Sequence, residues 1–286
     1  MAQRICVTGA AGQAGRAVVA ELLEHGYDVT PTDIVVSAAD RENGMLRADL
    51  TDYGQAVEVL AAADAVVHLA NIPAPGLSTP AVTFNTNMTM NFNVFQAAAA
   101  RKLDRVVWAS SETTLGLPFD VPPRYAPVDE EHYPVPTSTY ALSKVASETI
   151  AGHLAQWSGI GFVALRFSNI MAPDWYQEFP SYWPDPHARK WNLWGYIDQR
   201  DVAASCRLAL QASAEAVKGN PAFIIAAADT VMNRPSAELL AEVYPDVPLT
   251  RDVGEFGTLL AIDRAREVLG FEPRHSWRDH VSPAAD

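Results

Sequence analysis

The sequence contains little cysteine, no excess of basic residues and no long apolar run. Its two cysteines, Cys6 and Cys206, lie in separate segments. They exclude a disulfide framework and a cysteine-based metal site, so we expect no metal and a reduced, cytoplasmic setting. The formal net charge of -13 argues against a nucleic-acid partner, because an acidic surface repels phosphates.

No apolar run approaches the roughly 20 residues that cross a bilayer, so no membrane partner is expected. The first predicted strand begins by Arg4, and we therefore expect no signal peptide. At 286 residues the chain is long enough for one large domain with a smaller lobe.

Short β-rich runs alternate with longer helical patterns along most of the chain. Continuous apolar strands that alternate with helices indicate a parallel sheet covered on both faces. The sequence therefore predicts an α/β fold with a Rossmann-like, doubly wound parallel sheet. The predicted strands are 4–9, 27–33, 63–70, 104–111, 161–168 and 221–228, and the predicted helices are 13–25, 84–102, 139–158 and 199–215.

Two stretches, 112–138 and 169–196, interrupt the alternation and are predicted to be loops. After about residue 229 the pattern changes to short helices and turns. We therefore expect a Rossmann domain and a small C-terminal lobe, which would bind the substrate. The predicted domain boundaries are 1–168 plus 197–228 for the first and 169–196 plus 229–286 for the second.

Three glycines mark the turn between the first strand and the first helix. Glycines allow a tight turn and let backbone N–H groups approach a pyrophosphate beside the positive helix N-terminus. The spacing is GxxGxxG rather than the commoner GxGxxG, and a purely structural turn is the alternative. The predicted dinucleotide contacts here are Gly9, Gly12, Gln13, Ala14 and Gly15.

Asp33 ends the second strand, where a carboxylate accepts hydrogen bonds from the ribose hydroxyls of adenosine. The same carboxylate repels a 2′-phosphate, so NAD is favoured over NADP, although Arg16 keeps NADP open. An ordinary loop aspartate is the alternative reading of Asp33.

Further cofactor contacts are expected between the second and third predicted strands and at the end of the third. Asp49 and Leu50 would lie near the adenine, unless Asp49 is only the N-cap of a helix that begins near residue 51. Leu69, Ala70 and Asn71 end the third strand at the crevice beyond the carboxyl ends of the strands.

Tyr140 and Lys144 are four residues apart, so on a helix they share one face. A lysine cation stabilises a phenolate and would lower the pKa of Tyr140 towards neutrality. Tyr140 would then be the general base for a substrate hydroxyl. Ser111 ends the fourth strand, where its hydroxyl would hold the reacting oxygen. We predict these three as the catalytic residues.

In this order the motifs resemble those of the extended short-chain dehydrogenase/reductases, the NAD-dependent epimerase/dehydratase family. The resemblance implies a Rossmann fold, a bound nicotinamide cofactor that Asn87, Tyr140 and Lys144 also contact, and hydride transfer. The chain departs from the family at Asn71 and Ala172, where alanine and glycine are more usual. The matching stretches are VTGAAGQAG, HLAN, NTNMTMNFNVFQAA, SSETTLG, YALSK, RFSNIMAP, YIDQRDVA and LGFEP.

The short length and the SSETTLG strand end look most like the uronate-dehydrogenase-like branch of that family. Glu112 stands where dehydratases carry the first of two acidic residues, but Thr113 replaces the second, which weakens a dehydratase reading. The resemblance implies substrate contacts from Ser111, Glu112, Thr113 and Asn169. It also implies a homodimer through the helices near 84–102 and 139–158.

Residues 173–196 hold four of the seven tryptophans, together with the cations His187, Arg189 and Lys190. Aromatic rings pack on the apolar face of a sugar, and cations attract a carboxylate. A sugar or sugar acid is therefore the expected substrate, with Trp191 as a candidate contact. An aromatic lobe core or a dimer surface is the alternative.

These residues support three functional hypotheses. The first is an NAD-dependent dehydrogenase of a sugar or sugar acid. The second is an epimerase, which would return the hydride to the opposite face of a transient ketone with the same residues. The third is a non-catalytic NAD-sensing protein, against which the complete Ser–Tyr–Lys set counts.

Overall fold

The computed structural model describes residues 2–119, 121–132 and 134–281, and a parallel sheet of seven strands forms its centre. The order across the sheet is β3-β2-β1-β4-β5-β6-β9, and the predicted doubly wound Rossmann-like fold is confirmed. The strands are β1 (Arg4–Thr8), β2 (Asp28–Asp33), β3 (Leu46–Arg47), β4 (Ala65–His68), β5 (Arg105–Ser111), β6 (Gly161–Phe167), β7 (Ile170–Met171), β8 (Ile197–Asp198) and β9 (Ala222–Ile225), of which β7 and β8 pair with each other alone.

Helices cover both faces of this sheet, because neighbouring residues of each strand point to opposite sides. In β5, Val107 packs with helices α1 and α6, whereas Val106 and Trp108 pack with α4 and α5. The helices are α1 (Gln13–Glu24), α2 (Ala38–Glu42), α3 (Tyr53–Val59), α4 (Pro80–Arg101), α5 (Thr139–Ser158), α6 (Gln199–Gln211), α7 (Ser236–Val243) and α8 (Asp263–Leu269).

Pro31 lies inside β2, where a central strand would need its missing N–H group. It pairs with Val7 of β1, but the outer neighbour β3 pairs only with Thr32 and Asp33. Pro31 therefore has no ladder partner in β3, which explains why the strand tolerates proline.

A second hydrophobic core lies beside the sheet and is built around Trp194 and Trp277, both fully buried. It draws on the predicted lobe segments and also on side chains that the sequence placed in a loop of the first domain, namely Leu115, Leu117, Phe119, Ala126 and Val128. Ile224 of β9 belongs to this core, while Phe223 and Ile225 belong to the core under α1 and α6. The two predicted domains thus share β9, and their exact boundaries stay a prediction.

Among the described residues, no helix combines the length and the apolar character that a bilayer crossing requires.

Candidate active site

A cavity of about 850 Å³ opens at the carboxyl ends of the central strands. Its wall includes residues that follow β1, β2, β4, β5 and β6, and the chain reverses its direction of progress across the sheet between β1 and β4. Open α/β sheets bind ligands at such a point. The predicted site residues on this wall are Gly9, Gly12, Gln13, Ala14, Gly15, Asp33, Asp49, Leu50, Leu69, Ala70, Asn71, Ser111, Glu112, Thr113, Tyr140, Lys144, Asn169 and Trp191.

The glycine turn brings the N-terminus of α1 to this cavity. Gly9 has a left-handed backbone with φ of +71°, and a Cβ there would lie 2.6 Å from the backbone nitrogen of Ala70. A Cβ at Gly15 would overlap the carbonyl oxygen of Gly9. Gly12 is the N-cap of α1 and is exposed, so the first N–H groups of the helix stay open to an anion. The turn therefore fits a pyrophosphate.

Within the part of the chain that the structure describes, two buried polar atoms on the cavity wall lack a hydrogen-bond partner: Nε2 of Gln13 and Oδ1 of Asn71. Buried polar atoms are nearly always paired in folded proteins. Both residues belong to the predicted cofactor contacts, and a bound dinucleotide would supply polar groups to them. The residues present therefore fit the cofactor that the motifs imply.

Asp33 is held in place by the backbone around it. Its carboxylate oxygens accept hydrogen bonds from the N–H groups of Ala11 (3.0 Å) and Val35 (3.1 Å) and keep lone pairs for further donors. Arg16, the residue that kept NADP open, instead forms a two-pronged ion pair with Asp40 at 2.8 and 3.2 Å. The guanidinium of Arg16 is thus engaged beside Asp33 rather than free for a phosphate.

Asp49 does not cap the helix that follows it. Its Oδ1 accepts hydrogen bonds from the N–H (2.9 Å) and the hydroxyl (2.7 Å) of Thr51, whereas Asp52 caps α3 through the N–H of Gln55 at 3.1 Å. Asp49 and Leu50 both line the cavity. The capping alternative for Asp49 is therefore wrong.

Asn87 is the predicted cofactor residue that the structure does not place on the cavity wall. It is fully buried, its Oδ1 accepts from the N–H of Ile72 (2.8 Å), and its Nδ2 donates to the carbonyl of Ile72 (3.1 Å). Both functional atoms of the amide are used in this way. Asn87 lies behind the wall and fixes the loop at Ile72, which does line the cavity.

A buried hydrogen-bond chain, which the sequence did not predict, connects the ends of β1 and β4 to α5. Thr8 Oγ1 lies 2.6 Å from His68 Nδ1, His68 Nε2 lies 2.9 Å from Asn91 Oδ1, and Asn91 Nδ2 donates to Ser147 Oγ at 2.8 Å. Burial lowers the pKa of His68 to about 3, so its ring is neutral. Ser147 is one helical turn from Lys144, so the chain fixes the catalytic helix relative to the cofactor crevice.

The three predicted catalytic residues meet where β5 ends beside the first two turns of α5. Ser138 caps α5 by accepting from the N–H of Ala141, which fixes where the helix begins. Lys144 Nζ lies 5.5 Å from the ring centroid of Tyr140, and the Ser111 hydroxyl is a hydrogen-bond partner of the phenol. All three are buried.

The electrostatics of this set differ from the sequence expectation. Burial raises the pKa of Tyr140 to about 12, against the lowering effect of the Ser111 hydrogen bond. Burial also lowers the pKa of Lys144 to about 7, and its Nζ donates to the carbonyl of Ala109 at 2.7 Å. The predicted lowering of the Tyr140 pKa by Lys144 is therefore wrong for the protein alone, because loss of water disfavours both charged forms.

Glu112 follows Ser111 and brings a buried carboxyl to the same wall. Its Oε2 accepts from the hydroxyl of Ser168 at 2.6 Å, and its Oε1 accepts from Nδ2 of Asn192 at 3.3 Å. Burial raises the pKa of Glu112 to about 7 despite these hydrogen bonds. The sequence analysis did not identify Ser168 or Asn192 as site residues. Ser168 directly follows β6, at the carboxyl edge of the sheet where ligands bind, so its position indicates a site residue.

Part of the aromatic segment 173–196 lies at the cavity, as expected for substrate contacts, and part of it lies in the lobe core. Trp175 and Trp191 line the cavity, whereas Trp194 is fully buried in the lobe core. The predicted carboxylate attraction by His187, Arg189 and Lys190 is not supported, because these three side chains are absent from the described cavity wall. Arg189 instead stacks on the rings of Tyr182 and Trp191, and His187 is exposed.

Two characterised proteins have sequences similar to this chain. L-arabinose 1-dehydrogenase (NAD(P)(+)) of Haloferax volcanii is 32% identical over 180 residues, which are 60% of this chain and 68% of that protein. UDP-glucose 4-epimerase of Lacticaseibacillus casei is 27% identical over 320 aligned residues, with 98% of this chain and 95% of that protein covered.

The fold is shared with a solved structure of a mutated uronate dehydrogenase, at a TM-score of 0.69 and 22% identity over 100% of this chain and 87% of that chain. A profile of the NAD dependent epimerase/dehydratase family matches residues 5–226, which include the glycine turn, Ser111 and the YxxxK pair. The resemblance predicted from the motifs is confirmed, and the chain belongs to the NAD-dependent epimerase/dehydratase family of enzymes.

Proposed function

We propose that this chain is an NAD-dependent dehydrogenase that oxidises a hydroxyl of a sugar or sugar acid. One observation carries the proposal: Ser111, Tyr140 and Lys144 lie on the wall of the same cavity as the glycine turn and Asp33. A proton-transfer set and a dinucleotide cradle in one cavity are what a hydride-transfer reaction needs.

The glycine turn and Asp33 would hold the cofactor, whose nicotinamide would supply the hydride acceptor for the substrate carbon. Tyr140 takes the proton of the reacting hydroxyl, and Ser111 donates a hydrogen bond that holds the reacting oxygen beside the phenol. Tyr140 takes this proton in its ionised form, and the positive charge of Lys144, whose Nζ lies 5.5 Å from the ring centroid, offsets the cost of the buried phenolate before the transfer. Positioned acid–base groups of this kind contribute about 10²–10⁴-fold to a rate.

The cofactor we propose is NAD rather than NADP. Asp33 offers carboxylate lone pairs to ribose hydroxyls and would repel a 2′-phosphate, and Arg16 is held by Asp40. The name of the Haloferax volcanii relative allows both cofactors, so the preference rests on these three side chains of this chain.

An epimerase is the second candidate, favoured by the end-to-end alignment with the Lacticaseibacillus casei UDP-glucose 4-epimerase. The same three catalytic residues would serve, but the hydride would return to the substrate. Net accumulation of NADH separates the candidates, because a dehydrogenase releases reduced cofactor and an epimerase recycles it.

The test is a panel of free sugars, sugar acids and nucleotide sugars assayed for NAD reduction by absorbance, with NADP in parallel. The proposal predicts net NADH formation with a free sugar or sugar acid. Interconversion of sugars without net NADH would establish the epimerase instead. Tight NADH binding without turnover across the panel would establish the third hypothesis, an NAD-sensing protein.

We also propose a homodimer through α4 and α5. Exposed apolar side chains lie on both helices, Val82 and Phe92 on α4 and Leu142 and Trp157 on α5, and α4 contains no charged residue before Arg101. In a chain with a net charge of -13, exposed apolar side chains on two adjacent long helices are a candidate self-association surface.

A further inference from the structure

The cavity wall carries more acidic than basic side chains. Among the described residues that form it, the acids are Asp33, Asp49 and Glu112, and the sole lysine or arginine is Lys144. Asp33 ends β2 and Asp49 follows β3, at the cofactor half, whereas Glu112 adjoins Ser111 at the catalytic half. Lys144 donates to the carbonyl of Ala109 and faces Tyr140, so it is committed to the reacting centre.

Hydrogen bonds from two neighbouring side chains hold the Glu112 carboxyl at the substrate end of the cavity. Ser168 and Asn192 donate to its two oxygens, and only 3% of the residue is exposed. The backbone of Asn169 is a further hydrogen-bond partner, and the carboxyl keeps acceptor capacity for a hydrogen bond from a substrate hydroxyl.

The charged and titratable groups that face Glu112 are Arg189 behind it and Tyr140 beside it. Arg189 is itself buried between the rings of Tyr182 and Trp191, and its guanidinium does not form part of the described cavity wall. Burial outweighs Arg189, since the pKa of Glu112 is raised rather than lowered. An anionic substrate would therefore meet the carboxyl and not the guanidinium.

Above pH 7 the carboxyl of Glu112 is ionised, and a substrate carboxylate next to it then forms a like-charge pair in a site with little water, which weakens binding. The glycine turn is the expected place of the cofactor's own pyrophosphate, and the diphosphate of a nucleotide sugar would meet no arginine elsewhere on the described wall. A sugar hydroxyl, in contrast, donates to the carboxyl without a charge penalty.

Building on the proposed dehydrogenase function, we propose that the substrate is an uncharged, hydroxyl-rich free sugar, and that Glu112 is the specificity-determining residue that disfavours sugar acids and nucleotide-diphosphate sugars.

The experiment compares three forms of one sugar above pH 7, where the carboxyl of Glu112 is ionised: the neutral aldose, the uronate of the same stereochemistry and the nucleotide-diphosphate sugar. The wild-type protein should reduce NAD with the aldose at a kcat/KM at least about tenfold above that of the other two forms, the ratio that corresponds to one pKa unit of differential interaction. Equal or faster turnover of the uronate or the nucleotide sugar would overturn the inference and leave the dehydrogenase proposal intact.

The Glu112→Gln variant keeps the shape and removes the charge. It should raise the uronate-to-aldose ratio of kcat/KM at least about tenfold, mainly through KM for the uronate. Glu58→Gln, at an exposed position on α3, is the matched control and should leave the ratio unchanged. An unchanged ratio in Glu112→Gln overturns the role of Glu112.

Failure of the underlying function has a different signature. If no sugar of any form is oxidised while NADH still binds by fluorescence titration, the dehydrogenase proposal fails and this inference fails with it. If Glu112→Gln does not fold, judged by its circular dichroism melt, the wild-type comparison of the three sugars decides the substrate class alone.

Discussion

Burial favours the neutral forms of both Lys144 and Glu112. The pKa of Lys144 falls to about 7 and that of Glu112 rises to about 7, in each case because burial disfavours the charged form. The sequence shows which residue types come together, but it does not show how little water surrounds them. This is why the spacing of Tyr140 and Lys144 predicted their proximity correctly and predicted the direction of the Tyr140 pKa wrongly.

The raised pKa of Glu112 makes a prediction about stability and pH. The native state holds this proton between about pH 4.5 and 7, where the unfolded chain has lost it, so the contribution of Glu112 is complete below the unfolded pKa and is lost as the pH rises through 7. Relative to Glu112→Gln, the wild-type protein should therefore lose about 3 kcal/mol of stability between pH 4 and pH 8.

Urea unfolding of both proteins at the two pH values measures this difference. The titration of Lys144 cancels, because both proteins contain it. A difference in unfolding free energy that does not change with pH would show that Glu112 has an ordinary pKa.

Asp33 makes a prediction about the cofactor. Hydrogen bonds to charged groups contribute about 1.5–3 kcal/mol, so Asp33→Ser should lower the ratio of kcat/KM for NAD over NADP by roughly tenfold to a hundredfold. Steady-state kinetics with both cofactors check this result. A ratio that stays the same would mean that the carboxylate holds only Ala11 and Val35 and does not recognise the ribose.

At the scale of the elements, the strands and long helices were predictable, and the short ones were not. The predicted helix 139–158 is α5 to the residue, because Ser138 is a clear N-cap and Gly159 a clear end. The short elements α2 and β3 were missed because they contain too few residues to show a period, and α3 entered only as the helix that Asp49 was considered to cap.

The segment 169–196 was predicted to be a loop, and its prolines do prevent a long α-helix. The structure forms a 3₁₀-helical stretch at Pro173–Ser181, in which Tyr176 and Phe179 are fully buried. No local pattern shows that these rings belong to a lobe core, since their partners Tyr196 and Trp277 are distant in sequence.

The glycine turn makes a prediction at this scale. Gly15→Ala places a Cβ against the carbonyl oxygen of Gly9, so α1 must move away from the turn. We expect a loss of at least about 1–3 kcal/mol in unfolding free energy and weaker NADH binding. The matched control is Gly152→Ala in α5, where a Cβ meets no atom within 4 Å and should raise stability by about 0.5–1 kcal/mol.

Denaturant melts and NADH fluorescence titrations of the two variants provide the measurement. Normal stability and normal cofactor binding in Gly15→Ala would refute the close packing of α1 on the turn.

At the scale of the whole molecule, the proposed dimer surface is the feature that the sequence suggested only by resemblance. Phe92 is 48% exposed near the middle of α4, where a charge would be buried in the interface. Phe92→Glu should convert the protein to a monomer, and Leu23→Glu on the exposed face of α1 should not. Size-exclusion chromatography with light scattering measures the mass, and a wild-type monomer would contradict the proposal.

The central claim is that Tyr140 transfers the proton while the rest of the cavity binds the cofactor. The most direct measurement is hydride transfer in Tyr140→Phe, followed in a single turnover, with NADH binding measured on the same preparation. The account predicts unchanged NADH binding and a rate lowered by about 10²–10⁴-fold. Hydride transfer at the wild-type rate in a variant without the phenolic hydroxyl would contradict it.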